Sequence, residues 1–323
     1  METFVPGFHD EAAVRRMQYK TLGKTGLQVS YLSLGGGPFG GVSNYGAYEE
    51  EEAIATVHEA LKQGINYIDT APWYGFGRSE ELLGKALKDV PRKAYYIATK
   101  VARYDKDPKK MFDFSKEKTL WSVDHSLKLL GLDYVDIVQS IVEAGKARYI
   151  GVTGYSVLAI KEVIERSPAN VSMILSYTRD TLIDDDLKTY QPYFQSQGIG
   201  VVNAAGVSMG LLTNNGAMPW HPAPDNIKKA CAEAGKYCKE KGVELGKLAM
   251  HYTFQQSESA THLVGMNTRQ VLHLNLDLLY GGLSDLEKEV LQHVKTKYLD
   301  KIRPCNWENI EINELRQKLK TLS

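Results

Sequence analysis

The chain has 323 residues, 43% hydrophobic and 24% charged, with 28 glycines and 11 prolines, which predicts a globular protein of one large domain or two ordinary ones. Lysine plus arginine and aspartate plus glutamate both number 39, so the formal charge is zero and no general field draws in nucleic acid or an anionic membrane. Three cysteines, Cys231, Cys238 and Cys305, are too few and too scattered for a disulfide framework or a zinc site, so free thiols and no metal are expected.

The opening stretch "METFVPGFHDEAAVRR" lacks an apolar core and carries acids early, so it does not read as a signal peptide. No apolar run approaches the roughly 20 residues that span a bilayer, and the expectation is a soluble, cytoplasmic protein. "QYKTLGKTGLQVS" (18–30) predicts a hairpin turning at Lys24 to Gly26. "SYLSLGG" (30–36) is strand-like and stops at "GGGPFGG", which lacks the spacing of a dinucleotide fingerprint. Residues 49–64 have helix periodicity, with Ile54, Val57, Ala60 and Leu61 on one face and Gly64 as a stop. Then follow the strand "INYIDTA" (65–71), a helix over 79–90, the strand "AYYIATKV" (94–101) and a helix over 115–131 that ends at Gly131.

Two buried-looking runs come next, 134–139 and 148–153, with eight residues, 140–147, between them. A parallel crossover normally needs about a dozen residues or more, usually with a whole helix. Eight extended residues can span a strand length at about 3.3–3.6 Å each, but not as a complete helix. Beyond them the alternation resumes: helix 158–167, strand 171–177, a proline-interrupted helix 184–198, strand 199–205, helices 224–242 and 245–256, strand 261–266 and a closing helix 284–302. Eight strand candidates alternating with helices predict an α/β chain, a (β/α)8 TIM barrel whose floor the N-terminal hairpin can cap, incomplete between its fourth and fifth strands. The expected divisions are an extension over 1–17, the barrel over 18–302 and a tail over 303–323.

In such barrels the chemistry gathers where strands end. Asp69 ends the second strand, Tyr74 follows five residues later, and Lys100 ends the third. If the three converge, the lysine ammonium lowers the pKa of the phenol and the carboxylate holds the lysine charged, so the tyrosine can exchange a proton with a carbonyl or alcohol oxygen. The alternative is that Asp69 caps the next segment, Tyr74 packs in a loop and Lys100 is solvated.

Here the sequence resembles the aldo-keto reductase family. Residues 64–87, "GINYIDTAPWYGFGRSEELLGKAL", are similar to that family's first signature. "IATKV" resembles its catalytic-lysine strand and "ARYIGVTGY" its fifth strand, while "VSMGLLT" (207–213) and "LVGMNTRQVLHLNLDLL" (263–279) resemble its cofactor loops. The resemblance runs from about Gln18 to Ile302 and is nearest to the L-galactose dehydrogenase-like branch. It implies hydride transfer between C4 of NAD or NADP and a carbonyl or sugar substrate, with Asp69, Tyr74 and Lys100 as three of four catalytic residues.

By the same resemblance, Gly36 and Asp69 line the cofactor, Thr153 sits where the family binds the carboxamide, and Gly154 replaces its usual asparagine. Ser176 stands where a glutamine is common and Ala204 where a stacking aromatic is common. Val207, Ser208, Gly210 and Leu211 would follow the pyrophosphate, and Gly265, Met266, Asn267 and Asn275 the adenosine end. The slots where NADP-specific members carry cations read Gly265 and Val271, with Arg269 between them, which leans the reading toward NAD. Trp73 either walls the substrate pocket or simply packs, and Trp307, in "RPCNWENIEI", resembles a tail residue that reaches the mouth.

The family's fourth catalytic residue is a histidine two positions past Gln139. Here Ser140 and Ile141 follow, and no histidine occurs between His125, within a helix, and His221. A βα unit averages about 30 residues, so the short connection and the missing histidine read as one event. Two functions stay open: an NAD(P)-dependent oxidoreductase, or a catalytically impaired isoform that binds cofactor without the histidine. An unrelated phosphate-binding barrel would require that Asp69, Tyr74 and Lys100 do not converge. The sequence says nothing of oligomeric state.

Overall fold

The structure, a computed structural model, describes residues 2–43, 46–139, 146–256, 258–303 and 305–321. Strands β1 (Tyr19–Thr21) and β2 (Gln28–Ser30) form an antiparallel hairpin. Eight strands follow: β3 (Leu32–Gly35), β4 (Tyr67–Asp69), β5 (Tyr96–Lys100), β6 (Val135–Gln139), β7 (Ala147–Gly154), β8 (Val171–Tyr177), β9 (Gly200–Ala204) and β10 (Thr261–Gly265). They close a parallel barrel in sequence order, β10 pairing back onto β3.

The helices are α1 (Glu11–Arg16), α2 (Glu50–Lys62), α3 (Arg78–Leu87), α4 (Lys116–Leu130), α5 (Val157–Arg166), α6 (Leu187–Ser196), α7 (Asp225–Glu240), α8 (Leu245–Phe254), α9 (Arg269–Gly281), α10 (Asp285–Val294) and α11 (Ile310–Thr321). Helix α4 starts at the Ser115 cap and ends on left-handed Gly131, where the sequence put its stop. Helix α6 carries Pro192 inside it. Helix α9 arises within the stretch read from sequence as a cofactor loop.

Period-two alternation sorts each strand into two faces. Tyr67, Tyr96, Ala98, Ile137, Met173, Leu175, Val202 and Leu263 share the lumen cluster, while Ile68, Ile97 and Val138, with Ile174 and Val201, pack outward against the helices. The hairpin closes the floor: Leu22, Leu27 and Val29 are buried with the lumen residues. Lys24 N donates to Gly198 O at 2.7 Å, and Tyr149 Oη donates to Thr25 O at 2.7 Å. Gly23, at φ +51, approaches so closely that a Cβ there would lie 2.2 Å from Gly200 N.

The predicted short connection falls on residues 140–147; of these, 140–145 lie outside the described residues. On either side of them β6 and β7 are direct parallel partners, with Val135 opposite Ala147 and Gln139 opposite Gly151. Buried Asp136 cross-braces this seam, accepting from Arg92 Nη2 at 2.7 Å, Ile97 N at 2.9 Å and Arg148 Nη1 at 2.9 Å. Among the described residues no helix lies between β6 and β7. Strand β7 is correspondingly the least covered of the barrel: Ile150 and Val152 on its outer face are half-buried, whereas Ile97 and Ile174 are fully buried.

Candidate active site

Alternation and register bring one residue per strand to the top of the lumen. Gly35, Asp69, Lys100, Thr153, Tyr177, Ala204 and Gly265 belong to that ring. Asp69 and Lys100 come from neighbouring strands, and Lys100 Nζ makes an ion pair with Asp69 Oδ1 while donating to Thr70 O at 3.0 Å. Both side chains are shielded, at 1% exposure for Asp69 and 15% for Lys100. Tyr74 reaches the same point from the turn between β4 and α3. Its ring centroid is 4.9 Å from Lys100 Nζ, and the Lys100 charge acts directly on its phenol. The three residues chosen from sequence therefore converge, and a solvated Lys100 is excluded.

The electrostatics differ from the expectation in one respect. Burial is the largest influence on the Tyr74 phenol and raises its pKa; Lys100 pulls it down, Asp69 pushes it up, and the balance lies above the ordinary tyrosine value. Burial would lower the Lys100 pKa, but Asp69 and Tyr74 together hold it above the usual lysine value. The site thus keeps a charged ammonium beside a neutral phenol at neutral pH, the state of a proton donor. Behind β5, buried Glu80 of α3 accepts from Thr99 Oγ1 at 2.7 Å, and burial raises its pKa.

The remaining candidates fall in different places. Thr153 lies on the lumen side of β7, whereas alternation puts Ser176 on the face it shares with Ile174 and gives the lumen position at that strand end to Tyr177. Strand period alone would have found Tyr177. Gly36 N donates to Asp69 O at 2.7 Å beside the pair. After β9, Ala205, Ser208, Met209 and Gly210 all have left-handed backbones, so the loop holding Val207 and Leu211 turns sharply over the mouth. Buried His221 supports it: Nδ1 accepts from Ala223 N at 3.1 Å, which leaves Nε2–H to donate to Ser208 O at 3.0 Å. Met266 is buried beyond β10, Asn267 follows it, and Asn275 Nδ2 donates to Val271 O at 2.8 Å. Arg269 is gripped by Glu52 through its backbone N at 2.9 Å and Nη2 at 2.8 Å.

Trp73 has the Arg103 guanidinium 4.0 Å above its ring. Trp307 is 2% exposed and stacked on Tyr155 at 5.1 Å, with His221 against its edge at 4.8 Å. Its Nε1 has no hydrogen-bond partner among the described residues. Trp307 N donates to Tyr155 Oη at 2.7 Å. Arg179, also 2% exposed, is held by Asp184 at 2.9 Å and Asp186 at 2.6 Å and braces this docking of the tail through Glu308 at 3.6 Å; sequence reading missed it, because the tail partner meets it only in the fold. A groove of about 280 Å³ runs from Thr153 and Tyr155 to Trp307 and Ile312. The expected position of the fourth catalytic residue, Ile141, lies outside the described residues, and His125 is exposed on α4, stacked on Trp121.

No helix among the described residues is long and apolar enough to cross a membrane, and all three cysteines are buried and unpaired. A sequence model described as "Aldo/keto reductase family" matches residues 31–298. L-galactose dehydrogenase of Arabidopsis thaliana is 37% identical over 321 aligned positions, covering 90% of this chain and 97% of that protein. D-arabinose 1-dehydrogenase of Saccharomyces cerevisiae is 29% identical, covering 77% and 82%. Among solved structures, the holo form of an aldo-keto reductase from Bacillus halodurans superposes with a TM-score of 0.66 at 26% identity, covering 86% of this chain and 96% of that one.

Proposed function

The chain belongs to the aldo-keto reductase family of oxidoreductases, and on that premise we propose that it moves a hydride between NAD(P) and an aldose or other small carbonyl or alcohol. The observation that carries this reading is the convergence of Asp69, Lys100 and Tyr74 at the lumen mouth. The nicotinamide, when bound, would supply or accept the hydride at C4. Tyr74 gives its proton to the carbonyl oxygen, Lys100 stabilises the charge that appears on the phenol oxygen, and Asp69 holds Lys100 ionised. The residues present fit such a cofactor in their chemistry: Ala204, Gly35 and Gly265 put only small residues at the ends of β9, β3 and β10, with Pro38 packed on Gly265, and Thr153 and Tyr177 carry hydroxyls suited to its amide. Tyr177 fits that role better than Ser176.

The finer preference is for NAD. Arg269, the one cation of the adenosine loop's 2′-phosphate slots, is already paired with Glu52, and a carboxylate there accepts from a ribose hydroxyl while repelling a phosphate. The named substrates of the Arabidopsis and yeast relatives support a sugar as the hydride donor. Fluorescence titration with NADH and NADPH, followed by turnover of L-galactose, D-arabinose and a short aldehyde, tests the reading. Binding of neither nucleotide by folded protein defeats it.

A second reading, a slow or inactive isoform, rests on the seam between β6 and β7. Ninety per cent of 323 residues is about 291, so in the 321-position match to the Arabidopsis relative about 30 positions face no residue of this chain. That is the size of one helix with its leading loop, and the half-covered outer face of β7 is what loss of a neighbouring helix leaves behind. A large aliphatic side chain left fully wet forfeits roughly 1.5–3 kcal/mol. The test compares this chain with a version carrying a restored helix and histidine. An absent acid/base partner predicts at least about 10²-fold lower kcat/KM here, and equal rates at matched folded fractions remove the second reading.

A further inference from the structure

Two cations stacked on aromatic rings line the rim beside Tyr74. Directly after Lys100 the chain turns through Ala102, whose φ of +82 is a left-handed backbone that an alanine holds only where its surroundings fix it. The turn is fixed by Asp113 N donating to Ala102 O at 3.0 Å, Tyr104 N donating to Met111 O at 2.8 Å and an antiparallel bridge between Arg103 and Phe112. It sets the Arg103 guanidinium 4.0 Å from the Trp73 ring and 5.9 Å from the Phe112 ring. Trp73 packs edge to face on Phe76 at 5.2 Å, and Phe76, itself left-handed at φ +56, carries Lys106 Nζ at 5.0 Å. Arg103 also pulls the Tyr74 phenol toward ionisation, so its charge reaches the reacting group.

Stacking uses the flat faces of a guanidinium and presents its N–H donors in the ring plane, the fork that matches a carboxylate or phosphate. It also fixes a long side chain before any ligand arrives, which removes part of the ordering cost of binding. We propose that Arg103, stacked on Trp73, binds a carboxylate or phosphate on the end of the substrate remote from its carbonyl, so that the site selects anionic sugars or aldehydes over neutral ones. This rests on the oxidoreductase reading for the reaction, but not for the recognition.

Calorimetric titration of the full chain with D-glucose, D-glucuronate and D-glucose 6-phosphate changes one end of a single ring. At low salt at least one anionic probe should bind about tenfold or more tightly than glucose, as expected for a charge-assisted bond. Which probe is preferred separates carboxylate from phosphate. Arg103→Ala should abolish the preference and Arg103→Lys should keep a minor part, since charge remains but the fork is lost; thermal melts establish that each variant is folded. Equal affinities for all three probes, no measurable binding of either anion, or a preference that survives Arg103→Ala would overturn the proposal. NADH titration and turnover of a neutral aldehyde, run on the same samples, report on the oxidoreductase reading separately.

Discussion

Asp69→Asn removes the carboxylate but keeps its shape. In the wild type, Lys100 Nζ has the Asp69 carboxylate and Thr70 O at 3.0 Å, with only 15% of its side chain exposed. Breaking a buried pair by removing one partner costs about 3–5 kcal/mol, because the remaining charge is buried without compensation. The asparagine carbonyl can still accept from Nζ, so a loss near the lower end, about 3 kcal/mol, is expected. The sign with pH is fixed by Lys100. Its folded pKa is raised in the wild type, so its stabilising contribution is complete below the unfolded lysine value of about 10.4 and fades as pH rises through the folded value. In the variant, burial becomes the dominant influence and the folded pKa drops below the unfolded one. The deficit is then largest near neutral pH and shrinks above about pH 10. Denaturant unfolding at pH 7 and at about pH 11 measures both. Adding Lys100→Met to the variant should recover part of the loss, since no buried charge is left unpaired. A loss below about 1 kcal/mol, or a deficit independent of pH, would refute the idea that this is a closed ion pair.

Tyr74→Phe should lower aldehyde reduction by about 10²–10⁴-fold with NADH affinity unchanged; since burial keeps the phenol protonated above the usual tyrosine value, the wild-type reduction rate should also stay flat through neutral pH, and a fall below pH 9 would contradict that placement. Asp180, 2% exposed and 4.0 Å from Lys188, is pushed up to about 7, mainly by burial. The folded form therefore holds a proton that the unfolded chain releases, and stability falls as pH rises from about 4 to about 7, by about 4 kcal/mol. Asp180→Asn should flatten that profile in urea unfolding, and an unchanged profile would assign the loss elsewhere. Glu52→Gln releases Arg269 and should shift the NADPH-to-NADH affinity ratio toward NADPH by up to about fivefold, read by fluorescence titration; an unchanged ratio would separate Arg269 from the cofactor.

Whatever depends on local period was legible in the sequence. Gly131 ends a helix, the hairpin before β3 returns to close the floor, and Asp69 and Lys100 end adjacent strands on the same face, all from spacing. Period also contained what the family resemblance obscured: in "VSMILSY" Met173, Leu175 and Tyr177 alternate into the lumen, so the lumen residue at the end of that strand is Tyr177 and not Ser176. Contacts between distant segments were not legible. Arg179 reads as a surface arginine until the fold brings Tyr155 and the tail's Glu308 against it. Trp307 reads as a tail residue over an open mouth, yet burial against Tyr155 and His221 removes nearly all of its surface. The upward pKa of Tyr74 was missed for the same reason. The sequence names the cation beside the phenol, but desolvation, the larger influence, depends on every atom the fold packs around it.

The seam at β6 and β7 separates two things that a barrel helix normally supplies together, connection and cover. Connection needs few residues. Val135 and Ala147 pair directly, and Asp136 with Arg92 and Arg148 fastens β5, β6 and β7 on the outer face, with no helix among the described residues between β6 and β7. Cover is different, because an apolar strand face stays dry only if something packs on it; among the described residues Val152 packs on the cluster of Val157 and Ile160, yet Ile150 and Val152 both stay partly exposed. The consequence is unequal across the mouth. Asp69, Lys100 and Tyr74 stand on strands β4 and β5 and the turn after β4, backed by Ile68 and Ile97 against α3 and by buried Glu80, so the proton-transfer half of the site rests on dense packing. Thr153, on the other side, stands on β7, whose outer-face Ile150 and Val152 are only half-buried. With a connection as short as the sequence predicts, the Tyr74 side is expected to stay intact and the β7 wall to be the looser one. Misplacement by about 1 Å alone can cost about 10²-fold in rate. Convergence of the three catalytic candidates thus argues for the chemistry, and a rate deficit measured against a version with a restored helix is expected to originate on the β7 side of the mouth.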